Sequence, residues 1–214
     1  MSFFNVPGLN ILAAKPGAGK SSLIKFELYK GAQTKTYDYA IVFTKNIDDG
    51  YDKILDESYI YYNFDEKTFA NILKFQKENN NGEIKLRLLL IFDDVIGSIN
   101  FNSKLMTILI TRYRHFNIGV VFSTQYLHKI PPTIRECVSK SFIFYQETKS
   151  SLKACYDSYG QSFGSLKNFT EYLIKNTKDY QFIVINGKNK SISEKYEIKK
   201  VDVNTIPNNV KIEW

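Results

Sequence analysis

An α/β fold built on a mostly parallel sheet is predicted by three features of the 214-residue chain. Short apolar runs alternate with stretches of helical periodicity, the pattern of strands joined by crossover helices. Two runs, Tyr39 to Thr44 and Leu86 to Phe92, are largely apolar on both faces, as strands covered by helices on either side must be. A content of 43% hydrophobic residues is enough for one sizeable core. No repeat, linker or low-complexity tract divides the sequence, so a single domain is expected over 1–214, with its core at about 8–186 and a hairpin and tail at 187–214.

Leu9 to Ala14 reads as the first strand, and a helix follows from Lys20 to Tyr29 with Gly31 as its stop. Tyr39 to Thr44 is the second strand and Ser58 to Tyr62 a weaker one. Asp65 to Glu78 carries Phe69, Ile72, Leu73 and Gln76 at helical spacing before the Asn79–Gly82 turn. Leu86 to Phe92 is the strongest strand signal. Asn102 or Ser103 is positioned to cap a helix running to Tyr113, apolar nearly all round and therefore expected to be deeply packed. Ile118 to Ser123 is the next buried strand, and Pro131-Pro132 opens a short helix carrying Arg135. Phe142 to Tyr145 is a strand, Thr148 to Tyr159 a helix ended by Gly160, and Ser165 to Lys175 another helix. Tyr180 to Ile185 and Ile192 to Ile198 are strands joined at Asn186-Gly187, a hairpin signal.

Composition narrows the function classes. Cys137, Cys155, His115 and His128 are too few for a disulfide framework or a cysteine-rich zinc site, which points to a reducing cytoplasm. The longest apolar stretch, Leu88 to Phe92, is far too short for a bilayer, and the N-terminus lacks the regions of a signal peptide, so a soluble, non-secreted protein without membrane contact is expected. A net charge of +7 favours polyanions, although lysine accounts for nearly all of it, in step with an Asn-, Ile- and Tyr-rich composition that suggests an AT-rich genome. The arginines, Arg87, Arg112, Arg114 and Arg135, are the more informative cations, since three of them cluster within 112–135.

The first strand runs into Ala14-Lys15-Pro16-Gly17-Ala18-Gly19-Lys20-Ser21, which matches the phosphate-loop pattern and is followed by Ser22. Glycines allow backbone N–H groups to turn toward a β-phosphate at the positive end of a helix. Lys15 to Ser22 are thus candidate nucleotide-binding residues: Lys20 reaches the β- and γ-phosphates, and the Ser21 hydroxyl ligates Mg²⁺. Strand 86–92 ends in Asp93-Asp94, about seventy residues further on. That is Walker B form, with Asp93 on Mg²⁺ and Asp94 orienting or deprotonating water; an aspartate pair beginning a turn is the competing reading. Asp94-Val95-Ile96-Gly97 also fits a GTPase signature, but the base-reading element that should follow it is absent. The strand at 118–123 finishes in Ser123-Thr124-Gln125, where Gln125 is placed to sense the γ-phosphate or simply to bond a loop.

Four segments together, AKPGAGKS at 14–21, LLLIFDDV at 88–95, TRYRHFNIGVVFSTQ at 111–125 and IPPTIRECVSKSF at 130–142, resemble the FtsK/HerA superfamily of DNA-pumping ATPases. They are most similar to the genome-packaging ATPases of large eukaryotic DNA viruses and virophages. The resemblance implies a RecA-like core in which the strand ending in Gln125 lies between the phosphate-loop and Walker B strands. It implies a ring of five or six subunits around double-stranded DNA, gripped without regard to sequence, with capsid vertex or portal proteins as partners. It places the protein in the host cytoplasm at viral factories, with virion association. Each site in such a ring is completed by a neighbour's arginine, for which Arg135 is the first candidate and Arg112 and Arg114 the next; a surface salt bridge is the plainer role for Arg135.

Lysines on the loops at 45–53 and 97–104 are candidates for DNA phosphate contact by position. No appended nuclease or recognition domain is expected. Asp94 departs from the wider superfamily, where glutamate is common at that position, and its shorter reach bears on its role as base. Two other classes stay open: a small-molecule kinase using the same loop, and a scaffold that binds nucleotide without turnover.

Overall fold

Side chains alternate across a strand, so each apolar run along this chain feeds two layers of core at once. The computed structural model describes residues 3–82, 85–187, 192–201 and 211–214. Its elements are β1 (Gly8–Ala13), α1 (Lys20–Gln33), β2 (Tyr39–Thr44), β3 (Ile60–Tyr61), α2 (Glu66–Asn79), β4 (Leu88–Asp93), α3 (Lys104–Arg112) and β5 (Ile118–Thr124). These are followed by α4 (Pro132–Glu136), β6 (Lys140–Ile143), α5 (Lys149–Cys155), α6 (Leu166–Asn176), β7 (Gln181–Asn186), α7 (Ile192–Lys195) and β8 (Tyr196–Lys200).

The strands form one sheet in the order β3-β2-β4-β5-β1-β6-β7-β8. From β3 to β6 every pairing is parallel, whereas β7 and β8 each run antiparallel to the strand before them. The result is a RecA-like P-loop core with an antiparallel C-terminal pair, and β5 lies between β1 and β4 as expected. On one face Leu12, Val42, Ile91, Val121 and Phe142 pack against Leu23, Ile24 and Leu28 of α1. On the other, Ile11, Phe43, Leu90 and Phe122 meet Phe69 of α2, Leu109 of α3 and Leu173 of α6. Phe43, Phe92 and Phe122 stack across three adjacent strands, with centroids 5.5 and 5.2 Å apart. They lie one residue below the strand tips that form the site.

Several boundaries differ from the sequence reading. α1 continues through Gly31 to Gln33. Gly31 does not stop the helix; it admits the ring of Tyr37, whose Cε1 lies 2.3 Å from where a Cβ would stand and whose hydroxyl donates to the Leu28 carbonyl. β6 begins at Lys140, two residues early, because its register is set by β1 rather than by its own apolar run. α5 is α-helical only to Cys155 and widens into a π-helical turn over Tyr156–Gly160. α3, expected to be deeply packed, buries only Met106 and Leu109 fully, since a helix lying on one sheet face has a single side to bury. Ser103 is its cap, accepting from the Met106 amide at 3.2 Å. The last strand starts at Tyr196 after the short α7, and the expected turn following Gly187 falls partly on 188–191, outside the described residues, as does 202–210 of the tail.

The start of β2 is tied to β4 by Asp38 and Arg87. The Arg87 guanidinium donates to both carboxylate oxygens, at 2.8 and 3.2 Å, and its amide donates to one of them at 2.7 Å. The bonds from the Arg87 side chain hold the Asp38 carboxyl below the usual carboxylate range. Such a depressed pKa stabilises the fold above the unfolded carboxyl's value, near 4, and that stabilisation is lost as pH falls through the folded value. Asp38→Asn is expected to reduce stability by at most about 1 kcal/mol at neutral pH, given how exposed the pair is. Thermal melts should show the gap between variant and parent closing as pH drops below about 4.

Candidate functional site

Parallel strands bring their carboxyl ends to one edge, where crossing loops leave a crevice. After β1 the chain turns through Lys15 to Gly19, with Gly17 and Gly19 at φ of 73° and 96°, a region that side-chain-bearing residues seldom enter. α1 starts at Lys20 with Gly19 as a cap that offers no side chain, so the first-turn amides face outward as donors for an anion. Lys15, Pro16, Gly17, Gly19, Lys20, Ser21 and Ser22 all line a cavity of about 1040 Å³. Lys15 stands at its rim, 3.4 Å from Glu147 and over the Tyr145 ring.

The register β2–β4–β5 sets Thr44, Asp93 and Ser123 in one row, all buried. Asp93 points to the α1 face, and its carboxylate is completely removed from solvent. Burial drives its pKa upward, opposed by the charge of Lys20. The Lys20 ammonium, on a side chain only 9% exposed, sits 3.7 Å from Asp93 Oδ1 and pairs directly with Asp94 Oδ2. Asp94, the residue just past the strand, has left-handed backbone, φ 54°, and its carboxylate meets Lys20 at the start of α1. Gln125 Nε2 donates to the same Asp94 oxygen at 3.4 Å. Lys20, Asp93, Asp94 and Gln125, drawn from three separate sequence segments, are therefore one cluster.

The loop after β2, expected only as a source of DNA-contacting lysines, brings three residues that sequence reasoning missed. Asn46 and Asp49 line the cavity, and Asp49 accepts from Ser21 Oγ at 3.4 Å and from Asn46 Nδ2 at 2.9 Å. Tyr51 is buried, and its hydroxyl donates to Asp93 Oδ2 at 2.6 Å. Burial pushes the Tyr51 phenol well above its ordinary pKa, which keeps it a donor. The one available signal was position, since the loop leaves the carboxyl end of a central strand. A small cavity beside the first, lined by Lys45, Asp94, Gly97, Gln125 and Lys129, joins that loop to the one after β4.

The donor set fits a magnesium ion. Among the described residues Asp93 Oδ1 is buried with no hydrogen-bond partner, and the Ser21 hydroxyl lies on the same cavity, giving the hard oxygen ligands that Mg²⁺ selects.

The arginines lie elsewhere. Arg135 donates to the carbonyls of Ile130 and Ala154 at 3.1 and 3.0 Å and to the Ser158 hydroxyl, all within its own chain. It staples α4 to α5 and the turn that follows. Arg114 folds over Tyr113 and bonds its hydroxyl, while Arg112 is exposed at the end of α3. Both precede β5, at the edge of the sheet opposite the cluster.

Tyr51→Phe keeps the ring and removes the donor from a buried carboxylate. A stability loss of about 1.5–3 kcal/mol is expected at neutral pH, measured by denaturant unfolding with unchanged circular dichroism.

Among proteins with related sequences, the 075L protein of Invertebrate iridescent virus 6 is 28% identical over 199 residues, spanning 92% of this chain and 77% of its own length. The 088R protein of Invertebrate iridescent virus 3 is 25% identical over 177 residues, spanning 82% of this chain and 68% of its own. Among solved structures, the DNA-packaging ATPase B204 from Sulfolobus Turreted Icosahedral Virus superposes with a TM-score of 0.70 at 18% identity, covering 92% of this chain and 99% of that one. The genome packaging NTPase B204 from Sulfolobus turreted icosahedral virus 2 in complex with ATP-gammaS gives 0.67 at 17%, covering 91% and 97%. At that identity the likeness establishes the shared fold. The profile of the poxvirus A32 protein matches residues 10–186, from the third residue of β1 to the last of β7, and the chain belongs to that family.

Proposed function

We propose that the chain is a Mg²⁺-dependent ATPase that drives double-stranded DNA into a viral capsid, working as a homo-oligomeric ring. The observation that carries the hydrolase part is the cluster at the strand tips: Lys20 between Asp93 and Asp94, facing an uncapped helix end across a large cavity. The packaging part is supported by membership of the A32 family and by a fold shared with genome-packaging NTPases from other viruses.

In this reading the amides from Gly17 to Ser21 and the Lys20 ammonium hold the β- and γ-phosphates. Ser21 and Asp93 hold the magnesium ion, which when bound neutralises charge on the phosphate oxygens. The ammonium that now pairs Asp94 is the one the phosphates attract, so nucleotide entry frees the Asp94 carboxylate to accept a proton from water. Gln125, already bonded to Asp94, positions that water. An arginine from the neighbouring subunit meets the γ-phosphate. Arg135 is committed to its own chain, so Arg112 and Arg114 are the stronger candidates. α3 also carries half-buried Leu105 and Ile108 on the stripe that leads to exposed Arg112, a partly apolar face of the kind a subunit contact covers. DNA phosphates are held by lysines on the loops after β2 and β4, and capsid vertex or portal proteins receive the ring at viral factories.

Purified protein is expected to hydrolyse MgATP, faster with double-stranded DNA and in an assembled state seen by light scattering. Lys20→Ala and Asp94→Asn should each lower turnover at least about a hundredfold. Monomeric, DNA-independent turnover would point instead to a small-molecule kinase, and full function in Asp94→Asn to a non-hydrolysing scaffold. Mixing Arg112→Ala or Arg114→Ala subunits with Asp94→Asn subunits should restore part of the ATPase for whichever arginine acts in trans. Arg135→Ala should instead lower the melting temperature, with no rescue on mixing.

A further inference from the structure

The phosphate chemistry above uses one end of the 1040 Å³ cavity; the other end is lined by Phe144, Tyr180, Lys200 and Val201. Tyr180 is 65% exposed there, while Phe144 behind it is buried. Both rings flank the start of α1: Tyr180 Cδ1 lies 3.4 Å, and Phe144 Cε1 3.6 Å, from the point where a Cβ on Gly19 would stand. An aromatic wall beside an anion cradle serves no purpose for phosphate.

The backbone that presents Tyr180 is strained. Asp179 and Tyr180 have φ of 52° and 63° in a turn closed by the Gln181 amide on the Lys178 carbonyl at 2.9 Å. Aspartate suits such a left-handed position, but a bulky residue such as Tyr180 does not. The strained turn holds a large ring partly in solvent at the cavity mouth, the kind of outlier from which function is properly inferred.

We propose that Tyr180 is the stacking platform for the nucleobase of the bound triphosphate, with Phe144 and Val201 adding apolar contact at that end. The proposal rests on the nucleotide reading of the phosphate loop and extends it to the other end of the ligand. Stacking engages the face of a base, not its edge, so this contact favours all nucleobases over none without selecting adenine.

The test is calorimetric titration of the full chain, with Mg²⁺ present, by ATP and by inorganic tripolyphosphate, which has no base. Tyr180→Asn suits the left-handed backbone and removes the ring; Tyr180→Leu is a second, apolar variant without a π face; Tyr180→Phe keeps the face. The two ring-less variants are expected to bind ATP about fivefold to a hundredfold more weakly while binding tripolyphosphate as the parent does, and Tyr180→Phe to match the parent with both. Equal losses for ATP and tripolyphosphate would reduce Tyr180 to a structural role, and unchanged ATP affinity in both ring-less variants would also overturn the proposal. A parent chain that binds neither ligand would overturn the nucleotide reading itself, an outcome separate from either of these.

Discussion

A carboxylate removed from water at the centre of a sheet is tolerated only where opposite charge and hydrogen bonds replace the lost hydration, and Asp93 is such a group here. Its replacements are the ammonium of Lys20 and the hydroxyl of Tyr51. Lys20 is the first residue of α1, so the electrostatic demand of Asp93 couples the entry of that helix to the tip of β4. Tyr51 fixes the far side of the same group from the loop after β2. Three crossing segments thus meet at one buried carboxylate.

The sheet order makes this constraint productive. β5 is inserted between β1 and β4, so the phosphate loop does not abut the acidic strand tip directly. The gap is bridged by side chains: Lys20 reaches across from α1, and Gln125 reaches back from the end of β5 to Asp94. The stacked rings of Phe43, Phe92 and Phe122 hold the three acid-side strands flat just beneath, which keeps Thr44, Asp93 and Ser123 level in their row. Apolar packing below and unsatisfied polar atoms above are what a site for a charged ligand requires.

Much of the fold was legible because period and length are local properties. The runs at Tyr39 to Thr44, Leu86 to Phe92 and Ile118 to Ser123 became β2, β4 and β5 within two residues, since an uninterrupted apolar run of strand length has few other stable uses. The misplaced boundaries have tertiary causes: Gly31 continues a helix because Tyr37 needs its space, and β6 is shifted because β1 sets its register. The candidate site divides the same way. Lys20, Asp93, Asp94 and Gln125 were identifiable because motif spacing and strand ends announce them, and the structure brings them together. Asn46, Asp49, Tyr51 and Tyr180 were not, since each belongs to a loop or turn whose sequence has no periodicity and whose meaning lies in what it faces.

By itself the amino-acid order determined the strands, the crossover helices, the glycine-bearing turn and the acidic strand tip, because these depend on side-chain period, backbone freedom and neighbours a few residues away. Only the tertiary structure decided that Arg135 bonds carbonyls of its own chain, that Tyr51 serves Asp93, and that a strained turn leans Tyr180 over the cavity mouth. Those outcomes depend on which distant groups share a desolvated space, and hydrogen bonding and burial there are settled by packing across the sheet rather than by separation along the chain.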